Sequence, residues 1–296
     1  MNILVAGSKG FIGRNCERYF SAKHNVWGCD VLPAGESGNY FQIKNNSDFN
    51  TILSRNKFDL FINASGSAGV GFSIQNPEKD YELNVANVKV MLEAIRLNQP
   101  LCKFVTMSSA AVYGNPVSLP VAEKALCIPL SVYGKNKQEA EKIVTDYHEK
   151  SGITTYSLRI FSAYGPGLHK QLFWDIFQKT IKSKHITLFG TGNESRDFIF
   201  IDDLMHAIET IVIGDRFSGE AINVSSGVET TIREAAEMFL NYLGNDLTLG
   251  FSGEQKPGDP LNWRADISKL KSLGFQSVVD MKQGLKLVAA DFLKNK

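Results

Sequence analysis

The 296-residue sequence has few cysteines and no pattern of them that is typical of a metal or disulfide site. Its four cysteines are Cys16, Cys29, Cys102 and Cys127. They are scattered without a Cys-x-x-Cys pair, and the five histidines form no cluster. A disulfide framework and a zinc site are therefore not expected. We predict reduced thiols, no bound metal and a cytoplasmic location.

Long apolar runs and an excess of charge of one sign are also missing. No apolar stretch approaches ~18 residues, so no membrane-spanning helix is expected, and the first residues lack the pattern of a signal peptide. The formal net charge of +1 gives no indication of nucleic-acid binding. What is present is 43% hydrophobic residues, over a length that suffices for one large or two modest domains. These values predict a globular chain.

Short apolar runs alternate with helical patterns over the first part of the chain. The predicted strands are residues 2–6, 25–30, 57–63, 103–109 and 154–161, and the clearest helices are residues 81–97 and 131–150. This alternation is typical of an α/β fold, and it predicts a Rossmann-type doubly wound parallel sheet over residues 1–161.

Glycine, proline and aromatic residues become denser after about residue 162. The change predicts a smaller C-terminal α/β substrate domain, mainly residues 162–296. Two apolar segments, residues 198–203 and 221–225, have the pattern of strands that could return to the first domain.

Three regularly spaced glycines follow the first predicted strand. Gly7, Gly10 and Gly13 fit a tight turn in which the backbone can approach a phosphate at the N-terminus of a helix. Asp30 ends the second predicted strand, where a carboxylate can accept hydrogen bonds from a ribose of NAD and repels the 2′-phosphate of NADP. The alternatives are a turn without a ligand and a solvated strand end. Together, the glycines and Asp30 predict NAD as the cofactor.

Tyr133 and Lys137 are four residues apart on the predicted helix 131–150, for which Ser131 is the predicted N-cap. They therefore share one face of the helix. A nearby ammonium group lowers the pKa of a phenol from its usual value of about 10, so the pair could exchange a proton with an alcohol. The same spacing is common on solvated helices, and it gains weight only from the other motifs.

These motifs and several others resemble the extended short-chain dehydrogenase/reductases, in particular the NAD-dependent epimerase/dehydratase family, with a pattern similar to UDP-glucose 4-epimerases. The segments that carry the resemblance are Gly7–Gly13, Asn84–Val85, Ser108–Gly114, Tyr133–Lys137, Tyr164–Gly167, Arg196–Phe198, Asn223–Ser225, Pro257–Asp259 and Ala265–Asp266. Each segment alone is unspecific, but their order and spacing together are specific.

The resemblance implies three catalytic residues. Ser109 would hydrogen-bond the reacting sugar oxygen, and Tyr133 would be the acid/base. Lys137 would bind the nicotinamide ribose and lower the pKa of the tyrosine. The residues implied to bind the cofactor are Gly7, Gly10, Phe11, Ile12, Gly13, Asp30, Ser65, Gly66, Asn84, Tyr133 and Lys137. Asn84 is also expected to be a helix N-cap.

The implied partner is a nucleotide-diphosphate sugar. Its contacts would be Ser109, Ser162, Arg196 and Lys256, with the Arg196 guanidinium suited to two phosphate oxygens at once. An exposed pair between Arg196 and Asp197 is the alternative. Ser162 and Lys256 stand where many members of the family have asparagine and arginine, so the nucleotide and the sugar stay open. The roles of His169, Lys170, Gln171 and Trp174 also stay open, although packing is favoured for Trp174. A homodimer through helices 81–97 and 131–150 is expected on the same resemblance.

Three reactions of the family compete. Dehydration needs an acid and a base directly after the catalytic serine, where this chain has Ala110 and Ala111. A 4-epimerase needs only the serine, tyrosine and lysine with a retained NAD. A 4-keto-6-deoxy-sugar reductase uses the same residues and consumes NAD(P)H. Asp30 favours the epimerase, and the reductase is the alternative. A non-catalytic dinucleotide sensor is the hypothesis from another functional class.

Overall fold

A computed structural model of the chain describes residues 1–33, 38–67, 69–244, 246–254 and 258–294. The strands are β1 (Asn2–Ala6), β2 (Asn25–Asp30), β3 (Tyr40–Gln42), β4 (Leu60–Asn63), β5 (Lys103–Ser109), β6 (Thr155–Ile160), β7 (Ser162–Tyr164), β8 (His185–Leu188), β9 (Ser195–Phe200), β10 (Ala221–Val224), β11 (Glu229–Thr231) and β12 (Thr248–Phe251). The helices are α1 (Phe11–Phe20), α2 (Ser47–Arg55), α3 (Val70–Gln75), α4 (Pro77–Tyr81), α5 (Asn87–Asn98), α6 (Val132–Ser151), α7 (Gln171–Lys182), α8 (Ile201–Gly214), α9 (Ile232–Leu243), α10 (Ser268–Ser272) and α11 (Met281–Lys294).

A seven-stranded parallel sheet has the order β10-β6-β5-β4-β1-β2-β3. The strand order reverses at β1, which lies between β2 and β4. In doubly wound sheets, ligands bind at such a reversal, outside the carboxyl ends of the strands. The Rossmann-type fold predicted from the sequence is therefore confirmed, and its topology points to the ends of β1, β4 and β5.

Both faces of this sheet are covered. Leu60, Phe61 and Ile62 of β4 are all fully buried. Because strand side chains alternate between faces, Leu60 and Ile62 belong to one apolar cluster and Phe61 to another. Continuous apolar runs are typical of strands that are buried on both sides, which is why the sequence pattern identified them.

Two smaller sheets lie outside the parallel sheet, with the orders β11-β9-β7 and β12-β8. The predicted strand 154–161 is β6, and β7 follows it in the three-stranded sheet. The segment 221–225 returns to the parallel sheet as β10, beside β6. The segment 198–203 does not return, because β9 pairs with β7 and β11, and residues 201–203 begin α8. The division into two domains at residue 162 stays a prediction.

The two predicted helices have different outcomes. Helix α6 matches the predicted range, and Ser131 is its N-cap, with Oγ accepting a hydrogen bond from the Gly134 amide at 3.1 Å. The predicted helix 81–97 is interrupted, because a π-helical turn at Glu82–Ala86 separates α4 from α5. Over the described ranges, no helix combines the length and the apolar character that crossing a membrane requires.

Candidate active site

A cavity of about 940 Å³ reaches from the start of α1 to Arg196 in β9. Its wall contains ten of the residues that the sequence predicted as a site: Gly10, Phe11, Ile12, Ser65, Gly66, Ser109, Tyr133, Lys137, Ser162 and Arg196. Four others, Gly7, Gly13, Asp30 and Asn84, are not part of that wall, and Lys256 lies outside the described residues.

The glycine-rich turn between β1 and α1 is tightly folded. Gly7 has a φ of 74°, which favours glycine, and it packs against the backbone of Ser65. A Cβ on Gly13 would lie 2.1 Å from the Gly7 carbonyl oxygen, so only glycine fits there. Helix α1 begins after Gly10 without a side-chain cap. Its first amides are therefore available to an anion.

Asp30, at the end of β2, is held against the glycine-rich turn. Its Oδ2 accepts a hydrogen bond from the Lys9 amide at 3.0 Å, and Oδ1 accepts one from the Leu32 amide at 3.3 Å. Both donors are backbone amides, and these two hydrogen bonds fix the direction of the carboxylate. A ribose beside the turn would find an acceptor of fixed direction.

Asn84 lies in the π-helical turn and is buried, with 1% of its surface exposed. It is not a helix N-cap, so that prediction is wrong. Its Nδ2 donates to Ser67 Oγ at 3.0 Å and to Asp80 Oδ1 at 3.1 Å. Its Oδ1 lies beside Gly66 and has no hydrogen-bond partner within the described ranges. A buried amide oxygen without a donor suits a ligand with hydroxyl or amide N–H groups, as NAD has.

Ser109, Tyr133 and Lys137 meet on one side of the cavity. Ser109 ends β5, and its Oγ accepts a hydrogen bond from the Ala111 amide at 3.1 Å. Lys137 Nζ donates to the Met107 carbonyl at 2.8 Å and lies 5.7 Å from the centre of the Tyr133 ring. Ala110 and Ala111 form a 3₁₀ turn directly after Ser109. The loop therefore brings no further acid or base beside the serine.

The pKa values of this pair are shifted in opposite directions. Loss of contact with water raises the pKa of Tyr133 to about 12, although the Ser109 hydroxyl, as a hydrogen-bond partner, lowers it in part. Burial also lowers the pKa of Lys137 to about 8. Burial thus dominates the pKa of this phenol, and the lowering expected from Lys137 together with the positive nicotinamide of NAD stays a prediction. A further positive charge near the phenol would be needed to favour the phenolate.

Ser73 is a contact that the sequence did not reveal. It is buried in α3, and its Oγ accepts a hydrogen bond from the Tyr133 amide at 3.1 Å. This amide is one of the first in α6 and has no partner inside the helix. Residues of α3, including Val70 and Ile74, line the same cavity. No local pattern marks such a serine, because the contact joins two segments that are distant in the sequence.

Arg196 lies at the far end of the cavity. Its Nη1 donates to the carbonyls of Ser195 at 2.8 Å and Leu261 at 3.2 Å, and its guanidinium carbon lies 5.5 Å from the centre of the Trp263 ring. Burial lowers its pKa, against the charges of Asp259 and Glu194. The guanidinium is thus held by backbone oxygens and an aromatic face.

Asp197 does not form the exposed pair with Arg196 that was the alternative to a phosphate contact. It is fully buried and accepts hydrogen bonds from Ser225, Ser226, Gly227 and Ala265. Trp263, which the sequence analysis also missed, donates from Nε1 to the Gly114 carbonyl at 2.9 Å.

The residues whose roles stayed open divide into two pairs. Lys170 and Gln171 line the cavity. The rings of His169 and Trp174 are tilted by 36° with centres 4.5 Å apart, and Trp174 packs on Phe292 of α11 with centres 5.1 Å apart. Packing therefore accounts for Trp174. Among the described residues, no group of three or more His, Cys, Asp or Glu side chains is placed to hold a metal ion, and all four cysteines are free thiols.

Comparison with known proteins gives matches over the whole chain. The profile of the NAD dependent epimerase/dehydratase family matches residues 3–225. The chain is 30% identical over 314 residues to the putative UDP-glucose 4-epimerase of Methanocaldococcus jannaschii, covering 99% of this chain and 98% of that protein.

Two solved structures are also similar. One is the UDP-glucuronic acid 4-epimerase from Bacillus cereus in complex with UDP-glucuronic acid and NAD, with 27% identity, a TM-score of 0.90 and 100% of both chains covered. The other is the UDP-N-acetylglucosamine 4-epimerase from Methanobrevibacter ruminantium in complex with UDP-N-acetylmuramic acid, with 25% identity, a TM-score of 0.89, and 100% of this chain and 99% of that chain covered. The similarity includes the second half of the chain, where Ser162 and Arg196 lie.

Proposed function

The chain belongs to the NAD-dependent epimerase/dehydratase family, and on that basis we propose that it is a nucleotide-sugar 4-epimerase in which Tyr133 is the acid/base. It is an enzyme of nucleotide sugars with NAD as its cofactor. The proposal concerns the position that reacts and the residues that act there. Its main support is that Ser109, Tyr133 and Lys137 line one cavity that continues to Arg196.

The residues around the glycine-rich turn fit NAD. The free amides at the start of α1 would take its pyrophosphate, and Asp30 would accept hydrogen bonds from its adenosine ribose. Asn84 Oδ1 offers the buried acceptor that still needs a donor. When bound, NAD supplies a reversible hydride acceptor, and its oxidised form supplies a positive charge near the phenol.

Tyr133 would move the proton of the sugar hydroxyl at C4. As C4 is oxidised, the phenolate accepts this proton, and Ser109 hydrogen-bonds the same oxygen. The resulting 4-keto sugar rotates in the cavity, so that C4 is reduced on its opposite face. Tyr133 then returns the proton to the C4 oxygen. Because burial raises the pKa of Tyr133 to about 12, a positive charge such as that of oxidised NAD would be needed beside the phenol to make the phenolate accessible near neutral pH.

The residues next to Ser109 support an alcohol–ketone exchange rather than dehydration. Elimination of water needs a side chain that gives a proton and one that takes a proton. Ala110 and Ala111 occupy the turn after Ser109, and neither carries a group that titrates. In the proposed reaction, Tyr133 transfers the C4 hydroxyl proton without a second acid or base from this turn.

The diphosphate would bind at the other end of the cavity. Arg196 is held by two carbonyls and the Trp263 face, so its remaining N–H groups can meet two phosphate oxygens. Ser162 lines the same cavity and would add a shorter contact. The diphosphate would therefore be bound at Arg196, while the sugar could rotate near Tyr133.

A direct assay tests the reaction. We expect the purified protein to carry NAD rather than NADP, because Asp30 would repel a 2′-phosphate. Given UDP-sugars and no added cofactor, it should interconvert the two C4 epimers, as measured by NMR of the anomeric protons. If it instead oxidises NAD(P)H in proportion to an added 4-keto sugar and epimerises none, it is a reductase and the proposal is overturned.

We also infer a homodimer, formed through α5 and α6. The two helices pack side by side. Tyr81 and Leu97, at the two ends of the predicted helix 81–97, are 46% and 60% exposed. Multi-angle light scattering should give twice the chain mass of 32.8 kDa. A mass of one chain at micromolar concentration would contradict this inference.

A further inference from the structure

Helix α6 carries the proposed acid/base in its first turn. The helix begins at Val132, and Tyr133 is its second residue. The first amides of a helix have no partner inside the helix, so each needs one from elsewhere. The Gly134 amide donates to Oγ of Ser131, the N-cap, at 3.1 Å. The Tyr133 amide donates instead to Ser73, which lies 60 residues earlier in the chain.

Ser73 is held in one orientation by two hydrogen bonds. The residue is 0% exposed. Its hydroxyl donates to the Val70 carbonyl at 2.8 Å, within α3, and its Oγ accepts from the Tyr133 amide at 3.1 Å. Because the hydroxyl proton is used on Val70, the oxygen is left to accept. Ser73 is therefore a cap of α6 that another helix supplies.

Helix α3 connects this cap to the cavity. Val70 and Ile74 of α3 line the same cavity as Tyr133, and α3 packs against α6. Ser73, which lies between these two residues in the sequence, contacts the backbone of α6. A single turn of helix thus forms part of the ligand wall and also holds the residue that would react there.

The position of the Tyr133 hydroxyl depends on this part of the backbone. The ring of a tyrosine is rigid, and its hydroxyl lies at the far end of the side chain. A small rotation of the backbone at Tyr133 therefore moves the hydroxyl by a larger distance. Rates of reaction are sensitive to such shifts, since a misplacement of about 1 Å can cost about a hundredfold.

The rest of α6 has other anchors. Asn136 Nδ2 donates to Asp80 of α4 at 2.7 Å, and Lys137 Nζ donates to the Met107 carbonyl of β5 at 2.8 Å. Both contacts lie beyond the first turn of α6. Loss of the Ser73 contact should therefore loosen the first turn and leave the helix in its place.

We propose that Ser73 is a positioning residue, which fixes the first turn of α6 from α3 and thereby places the Tyr133 hydroxyl in the cavity. The effect on turnover rests on the function proposed above. The effect on the Tyr133 amide does not, because it follows from the hydrogen bond alone. A change at Ser73 should alter the rate of reaction more than substrate binding, since Arg196 lies at the far end of the cavity.

The first test is the kinetics of Ser73→Ala in the full chain, with the UDP-sugar assay described above. We expect kcat to fall by ~10- to 100-fold and KM to change by less than about twofold. Ser54→Ala is the matched control, because Ser54 also donates to a carbonyl three residues earlier, Thr51 at 2.9 Å, but in α2 and away from the cavity wall. It should keep its kcat. An unchanged kcat in Ser73→Ala, or a loss that is carried by KM, would overturn the proposal.

The second test is amide hydrogen exchange measured by NMR, which needs no turnover. In Ser73→Ala, the Tyr133 amide should exchange at least about fivefold faster, the factor that corresponds to one hydrogen bond, and the Gly134 amide should keep its rate. Ser131→Ala should give the reverse pattern, because Ser131 holds the Gly134 amide. Equal acceleration of both amides in Ser73→Ala would show a general loosening of the helix and would contradict the specific role of Ser73.

The two tests separate the failure of this proposal from the failure of the proposed function. If the unmodified protein epimerises no nucleotide sugar, the proposed function fails, and the exchange rates decide whether Ser73 fixes the first turn of α6. If the protein epimerises and the Tyr133 amide is released as expected while kcat stays the same, Ser73 holds the backbone without positioning the acid/base, and the proposal is wrong.

Discussion

Replacing Tyr133 with phenylalanine should lower turnover by about a thousandfold, the size of effect that acid–base groups typically contribute. The phenol hydroxyl is what the proposal requires to accept and return the C4 proton, and no side chain on the Ala110–Ala111 turn can replace it. Single-turnover and steady-state rates of epimerisation, with the amount of NAD retained after purification, are the measurements. NAD should be retained, because the glycine-rich turn and Asp30 do not depend on this hydroxyl.

Tyr147→Phe is a suitable control for this experiment. Tyr147 is in the same helix, and its hydroxyl donates to Glu93 at 3.0 Å, away from the cavity wall. This variant should keep its rate. If Tyr133→Phe turns over as fast as the unmodified protein, Tyr133 is not the acid/base. If the protein binds NAD but turns over no nucleotide sugar, with or without the substitution, it would instead be a non-catalytic dinucleotide sensor.

Replacing Glu141 with alanine should lower the free energy of unfolding by roughly 3–5 kcal/mol, as expected when one partner of a buried ion pair is removed. Burial disfavours the Arg159 cation, but Glu141 outweighs burial, so the pKa of Arg159 is raised. Glu141 also accepts a hydrogen bond from Ser108. Without this carboxylate, the guanidinium is left buried without its counter-charge. Urea unfolding followed by circular dichroism measures the change.

The matched control is Asp146→Ala in the same helix. Asp146 pairs with Lys150 at 3.0 Å, but both side chains are more than half exposed. Exposed pairs contribute about 0–1 kcal/mol, so this variant should unfold almost as the unmodified protein does. Similar losses from Glu141→Ala and Asp146→Ala would mean that the Arg159–Glu141 pair is not the source of stability inferred here.

The sequence was sufficient where a local pattern determines the structure. The apolar runs predicted the parallel sheet, because strands that are buried on both faces consist mainly of apolar residues. The four-residue spacing of Tyr133 and Lys137 placed both on one wall of the cavity, and Ser131 was recognisable as the cap of α6. In each case the residues that matter are neighbours in the chain or in one helix.

The features that were missed depend on distant segments. An apolar run identified the strand at Phe198 but could not tell that β9 pairs with β7 and β11. The π-helical turn that contains Asn84 packs against α6, which is distant in the sequence, and no local signal excluded an N-cap. Burial raises the pKa of Tyr133, and the four-residue spacing of Tyr133 and Lys137 does not report burial. The lowering expected from Lys137 together with bound NAD stays a prediction.

Trp263 contacts two separate walls of the cavity. Its N–H group holds the Gly114 carbonyl, at the end of the segment that follows Ser109, and its ring supports the Arg196 guanidinium. One indole thus contacts both the segment that follows Ser109 and Arg196 of β9. A substitution of Trp263 would therefore disturb two walls of the cavity at once, although they are distant in the sequence.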